Sequence, residues 1–240
     1  ENLYVVATQQ NLHFQQLWRI LELMGYDLYK GCKHISFGMV SLKDQTLSTR
    51  KGQVVFLEDV LNKTIEKTRE IMENREDTDD DIDEVSRIVG IGAVKFQELY
   101  NNRIKDYVFD WDEVLNFEGE TGPYVQYTYA RAKSVLRKAG IDEIKPLDIE
   151  KITSDEEFTL VKKLAGFEDV VVKAKEKYEP SLITRHLTDI AKSFNKFYNS
   201  SKIMVEDEKL KEERLALAYV TAIVIKTALG LLGIRTVEKM

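Results

Sequence analysis

With one cysteine, three prolines and three histidines in 240 residues, the chain leaves several chemistries without material. Cys32 alone cannot close an internal disulfide. His34 and His186 do not fall at metal-ligand spacing with each other or with Cys32, so no zinc site is expected. A reducing, cytoplasmic setting follows. The N-terminus lacks the charged, apolar and small-residue zones of a signal peptide, and no Ser/Gly-rich tract, internal repeat or low-complexity array occurs. The longest apolar run, residues 215–234, is interrupted by Lys226 and diluted by Thr221, Thr227 and two glycines. It reads as a buried bundle helix, and no membrane partner is expected. Positive charge is not in excess: 35 Lys and Arg stand against 41 Asp and Glu, a net charge of −6. That balance argues against a general nucleic-acid coat protein. It does not exclude a nucleic-acid partner, because much of the acid sits in residues 73–84 (ENREDTDDDIDE), which read as a solvated loop.

What is present is a 43% apolar composition, enough to bury the cores of one large or two modest domains. The chain opens at Glu1 and enters the apolar run LYVVA (residues 3–7) at once, so the expectation is a sequence that starts inside a domain. Residues 1–56 alternate strand, helix and strand: LYVVA, then a helix over 12–24 that Gly25 should stop, then strands at 34–40 and 54–56. From Leu57 onward the period is helical. Helices are expected over 57–73 and 82–100, and from Pro123, at a helix start where its missing N–H costs nothing, to Lys138, closed by Gly140. Further helices are expected at 155–166, 168–178, 180–200 and 207–232. The fold class is an α/β segment followed by a mostly α-helical bundle. The divisions are 1–56, 57–117 and 118–240.

Residues 38–56, GMVSLKDQTLSTRKGQVVF, hold the most chemistry. A strand ends at Val40, and Ser48, Thr49, Arg50, Lys51 and Gly52 cluster before Val54. Hydroxyls, two cations and a glycine suit a triphosphate, whose oxygens take charge-assisted donors and need close backbone approach. A hairpin tip collects the same residue types. The second constellation lies on the helix from Pro123, where Tyr124, Tyr127 and Arg131 share a face, Gln126 and Tyr129 sit alongside, and Lys133, Arg137 and Lys138 follow. Rings that stack on bases and cations that hold phosphates suit unstacked RNA. Tyrosines at that spacing also serve as core with the hydroxyl at the rim. Trp18, Trp111, Phe194, Phe197 and Tyr198 read as packing residues, with an exposed aromatic at 194–198 as an RNA option. His186 reads as a surface or capping group.

The loop TLSTRKG (46–52), preceded by HISFGMV and followed by QVVFLEDVL, resembles the degenerate KMSKS-type loop of arginyl-tRNA synthetases. The resemblance continues through YVVATQQNLHFQQL upstream, FEGETGPYVQYTYAR downstream and LGLLGIRTVEKM at residues 229–240, and covers essentially the whole chain. It implies a class I, Rossmann-like catalytic segment with its KMSKS-type loop in 1–56, a connecting, stem-contact region in 57–117 and a helical anticodon-binding domain in 118–240. It further implies Gln10 in the arginine pocket, His13 with Gly38, Met39 and Val40 on the ATP side, and Ser48, Thr49, Arg50 and Lys51 as the catalytic loop over the phosphates. The consensus lysines of that loop are Thr46 and Thr49 here, with Arg50 and Lys51 the local cations. Tyr124, Gln126, Tyr127, Arg131 and Met240 match tRNA-contacting positions, and Tyr129 stands where many relatives carry histidine. The implied activity is ATP-dependent activation of arginine and its transfer to tRNA(Arg), with magnesium accompanying ATP, by a monomer. No HIGH-like string occurs in the 240 residues, so this stretch by itself is expected to be inactive. A non-catalytic tRNA-binding module is the alternative.

Overall fold

A computed structural model describes residues 1–43, 56–73 and 81–240. The expected catalytic loop, residues 48–51, and the strand residues Val54 and Val55 lie outside the described residues. The chain divides into two units, Glu1–Val54 with Asn101–Asp110, and Val55–Tyr100 with Trp111–Met240.

In the first unit β1 (Asn2–Ala7) leads through a single turn of 3-10 helix (Thr8–Gln10) into α1 (Asn11–Leu23). Gly25, at φ +78°, ends that helix in a conformation that side chains with a Cβ avoid. Parallel pairing joins β1 to β2 (Cys32–Phe37), with Asn2 opposite Cys32 and Ala7 opposite Phe37. Phe14 of α1 packs on this pair, its ring centroid 5.3 Å from that of Tyr4 and 4.3 Å from that of His34.

The single strand expected over 34–40 is two strands. β2 stops at Phe37, Gly38 and Met39 turn, and β3 (Val40–Leu42) pairs in parallel with β4 (Tyr107–Phe109) instead. The cause is a close approach at Gly38, where a Cβ would fall inside the backbone of Lys105. Four bonds fasten the junction. Gly38 N–H donates to the Arg103 carbonyl at 2.7 Å, Met39 N–H to Asp106 Oδ1 at 2.6 Å, Tyr107 N–H to the Met39 carbonyl at 3.1 Å and the Arg103 guanidinium to the Ser36 carbonyl at 2.5 Å. Phe56 is an exposed residue ahead of the next helix.

The second unit is helical: α2 (Leu57–Glu73), α3 (Ile82–Tyr100), α4 (Trp111–Val114), α5 (Gly122–Lys138), α6 (Asp155–Ala165), α7 (Phe167–Lys177), α8 (Ser181–Ser200) and α9 (Glu208–Leu231). The ends follow local chemistry. Thr121 caps α5, accepting from Tyr124 N–H at 3.3 Å, and Gly140 at φ +67° follows its last turn. Ser154 and Glu157 close a reciprocal capping box at α6, and Asp207 caps α9. Small residues set the crossings: a Cβ at Gly90 of α3 would lie 3.1 Å from the backbone of Ile65 on α2. The core gathers Phe96, Val125, Leu160, Leu187, Phe194, Phe197, Ala218, Ile225 and Leu229, so Phe194 and Phe197 are packing residues. By length and composition α9 could cross a membrane. Its residues Leu215, Leu217, Ala218, Ala222, Ile225, Ala228 and Leu229 are instead buried in the bundle core.

Two buried carboxylates hold the entry to α6. Glu213 of α9 is fully buried and accepts from the N–H groups of Glu150, Lys151 and Ile152 at 2.9, 2.9 and 3.0 Å. Burial works against its charge, yet the three N–H donors win and hold its carboxyl below the usual range. Glu157 is opposed by burial in the same way and kept low by Ser154 and by Arg214, whose Nε lies 2.7 Å away. His186 of α8 caps α6: its Nε2 donates to the Lys163 carbonyl at 2.8 Å, and burial lowers its pKa.

Candidate nucleic-acid interface

On α5 the i, i+3, i+7 spacing does set Tyr124, Tyr127 and Arg131 along one side, but their surroundings differ. Tyr127 and Arg131, with Ala130, Ser134, Val135, Arg137 and Lys138, line a cavity of about 510 Å³. Tyr198 of α8 and Lys239 and Met240 complete it. Arg131 is its fixed point. Its guanidinium donates to Asn195 Oδ1 at 2.5 Å and to the Tyr127 hydroxyl at 3.3 Å, and its central carbon lies 4.8 Å and 5.0 Å from the ring centroids of Tyr127 and Tyr198. The cation therefore sits against two ring faces and holds both in place. Asn195 is itself fixed, donating to Thr128 Oγ1 at 2.9 Å.

Such a cavity can receive a planar base against tyrosine rings while Arg137, Lys138 and Lys239 meet phosphate oxygens. The structure brings together Tyr127, Arg131 and Met240, three of the five residues expected on the RNA side. Tyr124 is set apart, half-buried against the bundle core. Gln126 needs a correction: its side chain is fully buried and donates to the Arg235 carbonyl at 2.8 Å, so it presents no surface to a ligand. The helical wheel places it beside Tyr127, but α3 covers that side, with Gly92 directly over the amide. Tyr129 is buried too, its hydroxyl donating to Glu238 Oε1 at 2.9 Å. Tyr198, expected as a packing residue with an RNA role as the option if exposed, is 38% exposed and lines the cavity. Its position on α8 carries no local sign of this, since the partner surface comes from α5 and residues 239–240.

The residues expected on the nucleotide side, Gln10, His13, Gly38, Met39 and Val40, lie in the first unit. Because Ala7 and Phe37 are in register, residues 8–10 and 38–40 leave the parallel pair at the same end, the carboxyl end where open α/β sheets bind ligands. Gln10 and His13 are exposed just beyond β1, Gly38 is buried, Met39 is exposed and Val40 half-buried. The backbone at 38–39 is already engaged by residues 103–107 through the bonds given above.

Two family models divide the chain. Residues 1–111 match the class I tRNA synthetase (R) catalytic domain, and residues 125–240 match the DALR anticodon binding domain. The chain is 57% identical over 240 residues to the arginine–tRNA ligase of Halothermothrix orenii, an alignment covering 100% of this chain and 42% of that protein. It is 51% identical over 242 aligned residues to that of Clostridium acetobutylicum, covering 100% of this chain and 43% of that protein. The chain belongs to the arginyl-tRNA synthetase family. Among solved arginyl-tRNA synthetases, that of Thermus thermophilus superposes with a TM-score of 0.90 at 33% identity, covering 100% of this chain and 41% of that one. That of Plasmodium falciparum gives 0.79 at 25% identity over 99% of this chain and 41% of that one. The chain thus spans about 42% of the length of the curated arginyl-tRNA synthetases it matches. Its fold is that of a class I synthetase segment joined to a DALR helical domain.

Proposed function

We propose that this chain is part of an arginine–tRNA ligase, which activates arginine with ATP and transfers it to tRNA(Arg). The observation that carries the reading is 57% identity to such a ligase across all 240 residues. In this reading Gln10 bonds a polar group of arginine, and His13 with residues 38–40 borders ATP. Ser48, Thr49, Arg50 and Lys51 stabilise the charge that grows as the arginine carboxylate attacks the α-phosphate. Magnesium arrives with the triphosphate, and no residue of this chain is assigned to it. Residues 1–56 belong to the catalytic domain, 57–117 connect it to the tRNA stem and 118–240 read the anticodon loop through the Tyr127, Arg131, Tyr198 and Met240 cavity. Tyr124 takes no direct part. A cytoplasmic monomer without a membrane partner completes the reading, with the apolar side chains of α9 taken up in the bundle core.

The test is charging of labelled arginine onto tRNA by the full-length natural protein, with each other amino acid as control. Arginine-dependent, ATP-dependent charging is expected. Charging with a different amino acid, or tRNA binding with no charging at all, overturns the reading, the latter in favour of a tRNA-binding module. The 240-residue chain alone, spanning 42% of its relatives, is expected to bind tRNA(Arg) without forming arginyl-adenylate. Pyrophosphate exchange measures that.

A further inference from the structure

Residues 233–240 have no helix or strand of their own, yet they are bound along their length to α5 and α3. Gly233, at φ +69°, turns the chain out of α9, and the Lys95 ammonium donates to its carbonyl at 2.7 Å. Ile234 and Val237 are buried at 3% and 5% exposure. Between them the Arg235 carbonyl takes the Gln126 amide at 2.8 Å, while the Arg235 guanidinium pairs with Glu84 at 2.9 Å. Glu238 is held at three points: the Tyr129 hydroxyl at 2.9 Å, the Lys133 ammonium at 3.6 Å and, at its carbonyl, the Arg137 guanidinium at 3.3 Å. The next two residues, Lys239 and Met240, are in the cavity wall.

We propose that Gln126 and Tyr129 are positioning residues: they latch the segment after α9 to α5, and the latch sets Lys239 and Met240 as one wall of the RNA cavity. The inference rests on the RNA reading of that cavity. An irregular segment has no internal ladder to offset its lost freedom, so its order comes from the bonds it makes elsewhere. The two latch residues are built for that task and reach no ligand, with 0% and 2% exposure. Gln126 is buried with no hydrogen-bond partner for its Oε1 among the described residues, so the one bond its amide makes there is the one from Nε2 to the Arg235 carbonyl. Gly92 leaves the room: a Cβ there would lie 2.9 Å from the Gln126 Nε2 and 3.2 Å from the Ile234 side chain. Tyr129 stays a donor over the working pH range, because burial first and the Glu238 carboxylate second push its pKa up to about 12.

The experiment uses the full-length natural protein with Tyr129→Phe and, separately, Gln126→Leu. Amide hydrogen exchange is followed in the peptide covering 232–240 and in α5, α8 and α9. Loss of one bond to a carboxylate or a buried carbonyl is expected to raise exchange in that peptide about tenfold, with the helices unchanged. The KM for tRNA(Arg) should rise several-fold with kcat kept, which a general loss of folding would not produce. Exchange that stays at the wild-type rate, or that rises equally across the helices, overturns the latch. A loosened segment with unchanged KM overturns its role at the cavity. If Arg131→Lys then also leaves KM unchanged, the failure belongs to the RNA reading itself.

Discussion

Arg131 is the residue on which the cavity's geometry turns, because one guanidinium orders two tyrosine rings and an asparagine at once. A lysine there keeps the charge but has no planar fork, so it cannot hold Asn195 and lie along both rings. Arg131→Lys is therefore expected to weaken tRNA(Arg) binding about tenfold while leaving the salt dependence unchanged. Lys138 also lines the cavity and is exposed, and an ammonium acts on a phosphate as a point charge. Lys138→Met is expected to reduce the slope of log affinity against log salt by about 0.7 to 0.9, the share of one phosphate contact. Filter binding across a salt series separates the two, and an altered slope for Arg131→Lys with none for Lys138→Met would contradict the assignment. In the first unit Gly38 is the position with no tolerance. A Cβ there meets the Lys105 backbone, which cannot swing aside as a side chain tip could. Gly38→Ala should cost roughly 1–3 kcal/mol of local stability, as overpacking does, and appear as faster hydrogen exchange in 36–43 and 102–109. Unchanged exchange there would show that the approach is looser than described.

At the scale of elements, the helices were legible because their signals are local. The expected spans 57–73 and 82–100 are the observed α2 and α3, and Pro123, Gly140 and Gly25 mark ends that the structure uses. Strand partners are a different matter, since a strand's mate is chosen by residues far along the chain. Nothing in HISFGMV announces that Val40 pairs with Tyr107 while Ile35 pairs with Val5, so a single strand was expected across a junction of two. The return of 101–110 to the first unit was hidden for the same reason. Of the residues that the sequence singled out for RNA, Tyr127, Arg131 and Met240 line one cavity, while the place of Tyr198 there depends on the approach of α8 and the burial of Gln126 on α3 lying over it. The 150–152 segment adds a test of element docking. Glu213 satisfies three N–H groups there, and a glutamine, with one carbonyl oxygen, leaves donors unmet. Glu213→Gln is expected to cost roughly 2 kcal/mol, a fall of about 4–8 °C in melting temperature for a unit of this size. The pH sign follows from the direction of the shifts. Glu213 and Glu157 are held below the ordinary carboxylate value in the folded chain, so their contribution is full above roughly pH 4.3 and is lost as pH falls through their lowered folded values. Thermal melting as a function of pH should show a wild-type acid loss that Glu213→Gln partly removes.

Across the whole molecule, two units differ in construction: a parallel strand pair whose carboxyl end is followed by residues 8–10 and 38–40, and a helical bundle whose cavity gathers tyrosines and cations. The central claim is that the Tyr127, Arg131 and Tyr198 cavity reads the anticodon loop of tRNA(Arg), and a thermodynamic cycle tests it most directly. Arginylation kcat/KM of the full-length natural protein, wild type and Arg131→Lys, is measured on tRNA(Arg) and on a transcript with an altered anticodon loop. The account predicts that Arg131→Lys lowers kcat/KM about tenfold on the natural transcript and hardly at all on the altered one. Equal penalties on both transcripts, or none on either, would contradict it.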